Sequence, residues 1–382
     1  MKQMRAKVFV WMVAVVFCAA GVVFAQETGQ ELKEQEGEQT KDVGARAGAV
    51  RSLEDRIAKL EGAVTRDVES ENWYDRVQIS GLIEVEAAWQ SVDVMDEEKE
   101  DSSSIELATA ELVFDVNIHK NVDGHVMFKY EADEVFVDEG FITIIGTEAF
   151  PAYLIAGRQY VPFGFYDSMF VTDPTTLVLG ETNQDAVTAG YRFGGEMVNI
   201  AIAAFNGSVN KVDSDDHINT FTGGIFTSPL EGLSIGASYT SNLASSDTFS
   251  EFANEEVDSL VGGWGAYATY EFLDRFKVLA EYVGALDSFK AGEIYGEEDT
   301  KERQPSAWNV EAGMTFMENL GLALRYGGAD DGGAEFLPET QYGAILNYGF
   351  FNCNLALEYL HDEFEDDAQE VDTFLAQLAV SF

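Results

Sequence analysis

An all-β fold, a membrane-crossing antiparallel β-barrel of about 16 strands, is predicted by three features of the sequence. From Val77 onward, apolar and polar residues alternate with a period of two. The links between alternating runs are by turns tight and long. The last run, Phe374-Ala376-Leu378-Val380-Phe382 against Leu375-Gln377-Ala379-Ser381, alternates to the terminal aromatic. A barrel in lipid shows a greasy outer face and a wet inner face along every strand, with short turns at one rim and longer loops at the other.

Each strand can be read in turn. In the first, Ile79, Ile83, Val85, Ala87 and Trp89 oppose Gln78, Ser80, Glu84, Glu86 and Gln90. In the second, Leu112, Phe114, Val116 and Ile118 oppose Glu111, Asp115 and Asn117; in the third, Val126, Phe128 and Tyr130 oppose His125, Met127, Lys129 and Glu131. Further along, Trp308-Val310-Ala312-Met314-Phe316 oppose Asn309-Glu311-Gly313-Thr315. The pattern places strands at 77–90, 104–118, 123–132, 135–145, 152–162, 185–194, 197–206, 219–228, 233–243, 258–272, 276–287, 306–317, 320–328, 339–350, 353–363 and 372–382. Tight links carry turn residues, as in Asn121-Val122-Asp123-Gly124 and Leu273-Asp274-Arg275. Long acidic ones are expected at 91–103, 163–184, 207–218, 244–257, 288–305, 329–338 and 364–371. One short link, 133–134, falls where a long one is due. An even strand number puts both ends of the barrel on one side, expected to be periplasmic.

The segments before the barrel read differently. Lys2, Arg5 and Lys7 precede an apolar run to Phe24 and a small residue, Ala25, so 1–25 is expected to be an export signal. Residues 26–49 form a polar, acidic leader. Val50, Leu53, Ile57, Leu60 and Val64 recur at spacings of three and four, so 50–66 is expected to be a short coiled-coil-like helix, suited to a homotrimer or to resting on the barrel mouth. The barrel itself is expected over 73–382.

Composition excludes whole classes of function. The chain has 23 Lys+Arg and 68 Asp+Glu. Without the three basic residues of 1–25 that leaves 20 against 68, a net charge of −48. Such acidity repels nucleic acid. Beyond residue 25 only Cys353 remains, so no disulfide framework exists. His119, His125, His217 and His361 show no spacing for metal ligation or for a nucleophile and base, so no enzyme, metal or cofactor is expected. A small solute crossing an aqueous lumen in outer-membrane lipid remains, with Phe382 as the address read by the barrel-assembly machinery.

The residues expected to matter are those of the lumen. The inward parity is rich in Glu and poor in Lys and Arg. Segment 163–184, more apolar than the other long links, is expected to fold inward and set the bore, with Phe165, Tyr166, Asp173 and Glu181 at the constriction. Opposed charges across a constriction orient a polar solute. Arg158 and Arg192 on neighbouring strands, with Lys129, Tyr160, Glu84, Glu111 and Arg325, are therefore the candidate solute path.

Several motifs resemble the LbtU family of siderophore porins. They are Trp73-Tyr74-Asp75-Arg76 followed by ISGLIEVEAAW at 79–89, SIELATAE from Ser104 to Glu111, Gly124-His125-Val126, AGRQYVPFG at 156–164, and Thr172-Asp173-Pro174 with Leu179-Gly180-Glu181-Thr182. They cover roughly residues 73–185. The resemblance implies an outer-membrane receptor-channel that admits a ferric siderophore without a plug domain; residues 26–76 are too few for one. The acidic lumen fits a neutral or cationic solute more simply than an anionic chelate, unless Arg158 and Arg192 supply a basic path. A general cation-preferring porin and a structural barrel that ties the envelope together are the alternatives.

Overall fold

The computed structural model describes residues 73–95, 98–194, 197–214, 217–296, 299–317, 319–365 and 369–382. The expected signal, leader and helix at 1–25, 26–49 and 50–66 lie outside these residues. The described chain is a closed barrel of sixteen antiparallel strands with a small separate ribbon.

The strands are β1 (Val77–Val94), β2 (Glu100–His119), β3 (Val122–Glu131), β4 (Glu134–Thr147), β5 (Phe150–Tyr160), β6 (Asn183–Phe193) and β7 (Val198–Phe205). After the two-residue β8 (Asn210–Lys211) come β9 (Thr220–Leu230) and β10 (Leu233–Thr240). The two-residue β11 (Glu256–Val257) precedes β12 (Gly263–Phe272), β13 (Phe276–Ala285), β14 (Ser306–Met317), β15 (Leu320–Asp330), β16 (Thr340–Phe350), β17 (Cys353–Glu363) and β18 (Gln369–Ser381). β8 and β11 pair in parallel as a ribbon separate from the wall; every other strand lies beside its neighbour in sequence order in the wall. The barrel closes where β1 meets β18, and the terminal residue seals the seam. Gly81 N donates to Phe382 O at 2.9 Å, and Phe382 N donates back to Gly81 O at 3.1 Å. Closure leaves no edge to satisfy in lipid.

All sixteen expected strands are present, and the short link at 133–134 is a real hairpin. Ala132 and Asp133 both have positive φ (50° and 65°), the mirror-image turn that matches strand twist. The expected loop 91–103 is mostly strand, because β1 runs to Val94 and β2 begins at Glu100. Residues 258–262, expected in a strand, belong to the loop before β12. The alternation also holds. Ile79, Ile83, Val85 and Trp89 are exposed on the outside, while Glu84 is buried inside. Extra residues break the register beside Glu84 and beside Met127, bending the wall locally. Gly157 (φ +132°) sits where a Cβ would fall 2.2 Å from the Gly140 carbonyl oxygen, so β4 and β5 can approach only without a side chain there.

At one rim the links are tight turns. At the other, the loops fold over and into the barrel, and their apolar residues make the largest core cluster. Phe249, Phe289, Ile294 and Leu337 are fully buried in it. This cap packs against residues of segment 161–182, which connects β5 to β6.

Candidate functional site: a loop latched across the lumen

Segment 161–182 leaves β5 and runs inward along the wall, as expected for 163–184. Wall carboxylates hold its backbone. Glu281 on β13 accepts from Phe165 N (2.7 Å), Tyr166 N (3.0 Å) and Thr176 Oγ1 (3.0 Å). Glu311 on β14 accepts from Met169 N (2.6 Å) and Ser168 Oγ (2.8 Å). Glu358 on β17 accepts from Val171 N (2.7 Å) and Thr172 N (3.3 Å). The loop's successive amides thus meet acids set on successive parts of the wall. Hydrogen bonds to a charged group contribute roughly 1.5–3 kcal/mol each.

Other contacts fix the path. Gly164 N donates to Ser238 Oγ at 2.9 Å. Lys277 Nζ lies 2.7 Å from Asp167 Oδ2. Beyond the tip a single helix α1 (Thr175–Gly180) turns the chain back, and Leu177 and Leu179 on it join the loop cap. The return limb ends on the next loop inside. Asp247 N donates to Glu181 O (2.8 Å), and Asn183 N donates to Asp247 Oδ2 (2.8 Å).

The expected site residues separate into those the bore can reach and those it cannot. Asp173 is exposed and Glu181 half-buried at the loop's inner border. Their charged surroundings include Lys129 for both, Glu131 for Asp173 and Asp138 for Glu181. Asp173 is also within reach of Arg325 on β15 and Glu358 on β17, so Lys129 of β3 is the base the two acids share. Enclosure within the barrel is the main cause that raises Asp173 to about 6, against the pull of Arg325 and Lys129. The same cause lifts Glu181 well above the usual carboxylate range and Asp247 to about 7. Lys129 Nζ lies 3.1 Å from Glu131 Oε2 and is in register with Glu111. Tyr160 donates to Asp138 at 3.3 Å. Nearby, His125 sits 2.6 Å from Asp115 and 3.0 Å from Glu139. The wall opposite the loop is acid-rich, and Glu84 is buried within it.

Three expectations are corrected. Arg325 is not on the solute path. Its side chain is wholly enclosed, 3.0 Å from Glu311, 2.6 Å from Ser168 Oγ and 4.3 Å over the Phe170 ring, beneath the loop. Tyr166 is buried in the loop's own core, with φ +57°, and so does not border an open constriction, whereas Phe165 is half-buried and stacks on Tyr267 of β12 at 4.0 Å. Arg158 and Arg192 do not form one basic wall. Arg158 pairs in register with Asp185, seven residues along β6 from Arg192, a separation of about 23 Å at strand spacing. Arg192 lies near the turn rim with its guanidinium 5.2 Å from the Tyr153 ring. Glu281, Glu311 and Glu358, which belong to the acidic inward parity, are consumed as latches. The signal for that role is three inward Glu on one wall facing a loop whose amides have no strand to join. Among the described residues, no three of His, Cys, Asp and Glu are grouped to hold a metal.

No family model matches the chain. A Coxiella burnetii protein described as a UPF0422 protein is 30% identical over 308 residues, covering 75% of this chain and 64% of its own. A UPF0422 protein of Legionella pneumophila (strain Lens) is 25% identical over 296 residues, 68% of this chain and 54% of its own. The chain thus spans between about half and two thirds of the length of these relatives. Among solved structures, the outer membrane channel DcaP of Acinetobacter baumannii matches with a TM-score of 0.57 at 16% identity, covering 80% of this chain and 97% of that one. OmpF of Salmonella typhi matches with a TM-score of 0.57 at 14% identity, covering 82% and 100%. An anion-selective porin from Comamonas acidovorans matches with a TM-score of 0.56 at 10% identity, covering 80% and 99%. The barrel has the porin fold, and the relatives it matches in sequence are UPF0422 proteins.

Proposed function

We propose that the protein is an outer-membrane diffusion channel for small solutes, not an enzyme, and that its passage prefers cations. The observation that carries this is the latched loop. It uses up the wall carboxylates on β13, β14 and β17 and leaves Asp173 and Glu181 near an acid-rich wall whose Lys129 is the base they share. A narrow, low-dielectric gap lined by one sign of charge concentrates counter-ions and excludes co-ions. Solute crosses with no covalent step.

Ferric-siderophore uptake is the narrower reading. It draws on the resemblance over 73–185, which builds β1 to the start of β6 together with the latched loop. With Arg158 and Arg192 far apart, the chelate it admits is neutral or cationic. Planar-bilayer recording of the purified protein tests both. Stable, cation-selective openings support the channel, and block by chosen ferric chelates at low concentration supports uptake. Openings indifferent to every chelate leave a general porin. No openings in any condition refute the channel and leave a structural barrel.

A further inference from the structure

The lumen is filled from one side. Along β7 and β13–β15, the wall residues Phe205, Val283, Ala307 and Ala329 are buried in the same apolar cluster as Phe249 and Leu337 of the loop cap. Further round, Phe170 and Val171 of the loop tip pack on Ile345 of β16 and on Ala356 and Leu360 of β17. A solute is left with the side formed by β1–β4. There the inward carboxylates stand at regular intervals. Nearest the loop rim, Glu86 on β1 and Glu106 on β2 are register partners, the first half-buried and the second exposed. Gln377 on β18 donates to Glu86 at 2.8 Å and fixes its position. Two residues back along β1 comes Glu84, opposite Thr109. Two more bring the pair Leu82↔Glu111, and Glu111 is in turn the partner of Lys129 on β3. At strand rise the step from one rung to the next is about 6.6 Å.

Two details fit this ladder to ammonium groups. Lys129 already places one on it. Its Nζ lies 3.1 Å from Glu131 Oε2, and Glu84, Glu111, Asp138 and Asp173 are all close enough for their charges to act on it. The second detail is Glu84, one rung nearer the mouth and only 2% exposed. Thr109 holds its carboxylate by a hydrogen bond, and among the described residues Oε1 accepts none. A carboxylate oxygen enclosed without a donor costs free energy that an arriving N–H recovers.

We propose that the solutes this passage selects are linear diamines and polyamines, with one ammonium seated between Glu86 and Glu106 and the next at Glu84. The inference rests on the cation-preferring channel proposed above. Four methylenes, the length of a lysine side chain, set two amines about one rung apart. Once the first ammonium is seated, the second meets its rung at the high effective concentration that a short tether gives. A monoamine lacks the second contact. A divalent metal ion carries the same charge at one point and cannot occupy two rungs. Movement further in requires the ammonium of Lys129 to yield its place, so passage exchanges one ammonium for another down the ladder and no bond is made or broken.

Planar-bilayer recording of the purified full chain at neutral pH tests this, with putrescine, butylamine and Mg²⁺ as probes. Putrescine should interrupt the open current at about tenfold lower concentration than either of the others. Glu106→Gln, at an exposed position where substitution costs the fold little, should raise the blocking concentration of putrescine several-fold and leave that of butylamine unchanged. Glu84→Gln should do the same. Equal block by putrescine and Mg²⁺, or a Glu106→Gln effect of the same size on both amines, reduces the ladder to plain negative charge and overturns the inference while the cation channel stands. So do cation-selective openings that no amine interrupts. Anion-selective openings, or none, overturn the channel reading and this inference together.

Discussion

Replacing Glu311 by Gln keeps the side chain's shape and removes one charge. In the native barrel that carboxylate accepts from Met169 N, Ser168 Oγ, Arg325 Nε at 3.0 Å and Asn309 Nδ2 at 3.0 Å. Neither its side chain nor that of Arg325 is exposed. The amide keeps one accepting oxygen and turns an NH2 towards other donors, while Arg325 stays buried without its counter-charge. Uncoupling a buried ion pair in this way costs about 3–5 kcal/mol. The individual hydrogen bonds overlap with that figure and are not added to it. The loss falls on the loop as well as the wall, because Arg325 also donates to Ser168 Oγ and Asp173 O. The expected outcome is a lower urea midpoint, faster proteolysis within 161–182 and flickering single-channel currents. Glu363→Gln, at the exposed end of β17, is the control and should shift stability by less than about 0.5 kcal/mol. If Glu311→Gln matches the native protein in urea midpoint and protease resistance, the latch does not hold the loop.

Other outcomes follow from the same geometry. Cation preference should fall as pH drops through 7 to 6, because Asp173 (about 6) and Asp247 (about 7) lose their negative charge on protonation, and be greatest above 7; reversal potentials across that range check it. Arg192→Ala should leave ion selectivity at the constriction unchanged, since the residue lies near the turn rim; a change comparable to that from Lys129→Ala would contradict its placement. Ala132→Gly should stabilise the barrel by about 1 kcal/mol, because a left-handed conformation costs an L-residue about 1–2 kcal/mol and glycine little; equilibrium folding into detergent measures it.

The strands were legible because one constraint governs them. Lipid outside and water inside force a period of two, and Ile83, Val85 and Trp89 against Glu84 state it within seven residues. The short hairpin at 132–133 was legible as a spacing, but the height at which β3 leaves β2, at Ala110 opposite Tyr130, needed the pairing register. The inward course of 161–182 could be read from its apolar content. Its attachment could not. Glu281, Glu311 and Glu358 look in sequence like any other lumen acid, and only the curve of the wall brings each to a particular pair of loop amides. Arg158 and Arg192 mislead for the same reason. Neighbouring strands antiparallel to one another place residues close in space only at matching register, and these two sit near opposite rims.

The measurement that tests the central claim most directly is the reversal potential of single channels in a KCl gradient, taken for the native protein and for Asp173→Asn with Glu181→Gln. An acidic passage between the latched loop and the β3–β4 wall predicts cation selectivity that drops in the double variant with the openings retained. Anion selectivity in the native protein, or selectivity unmoved by removing both charges, would contradict it.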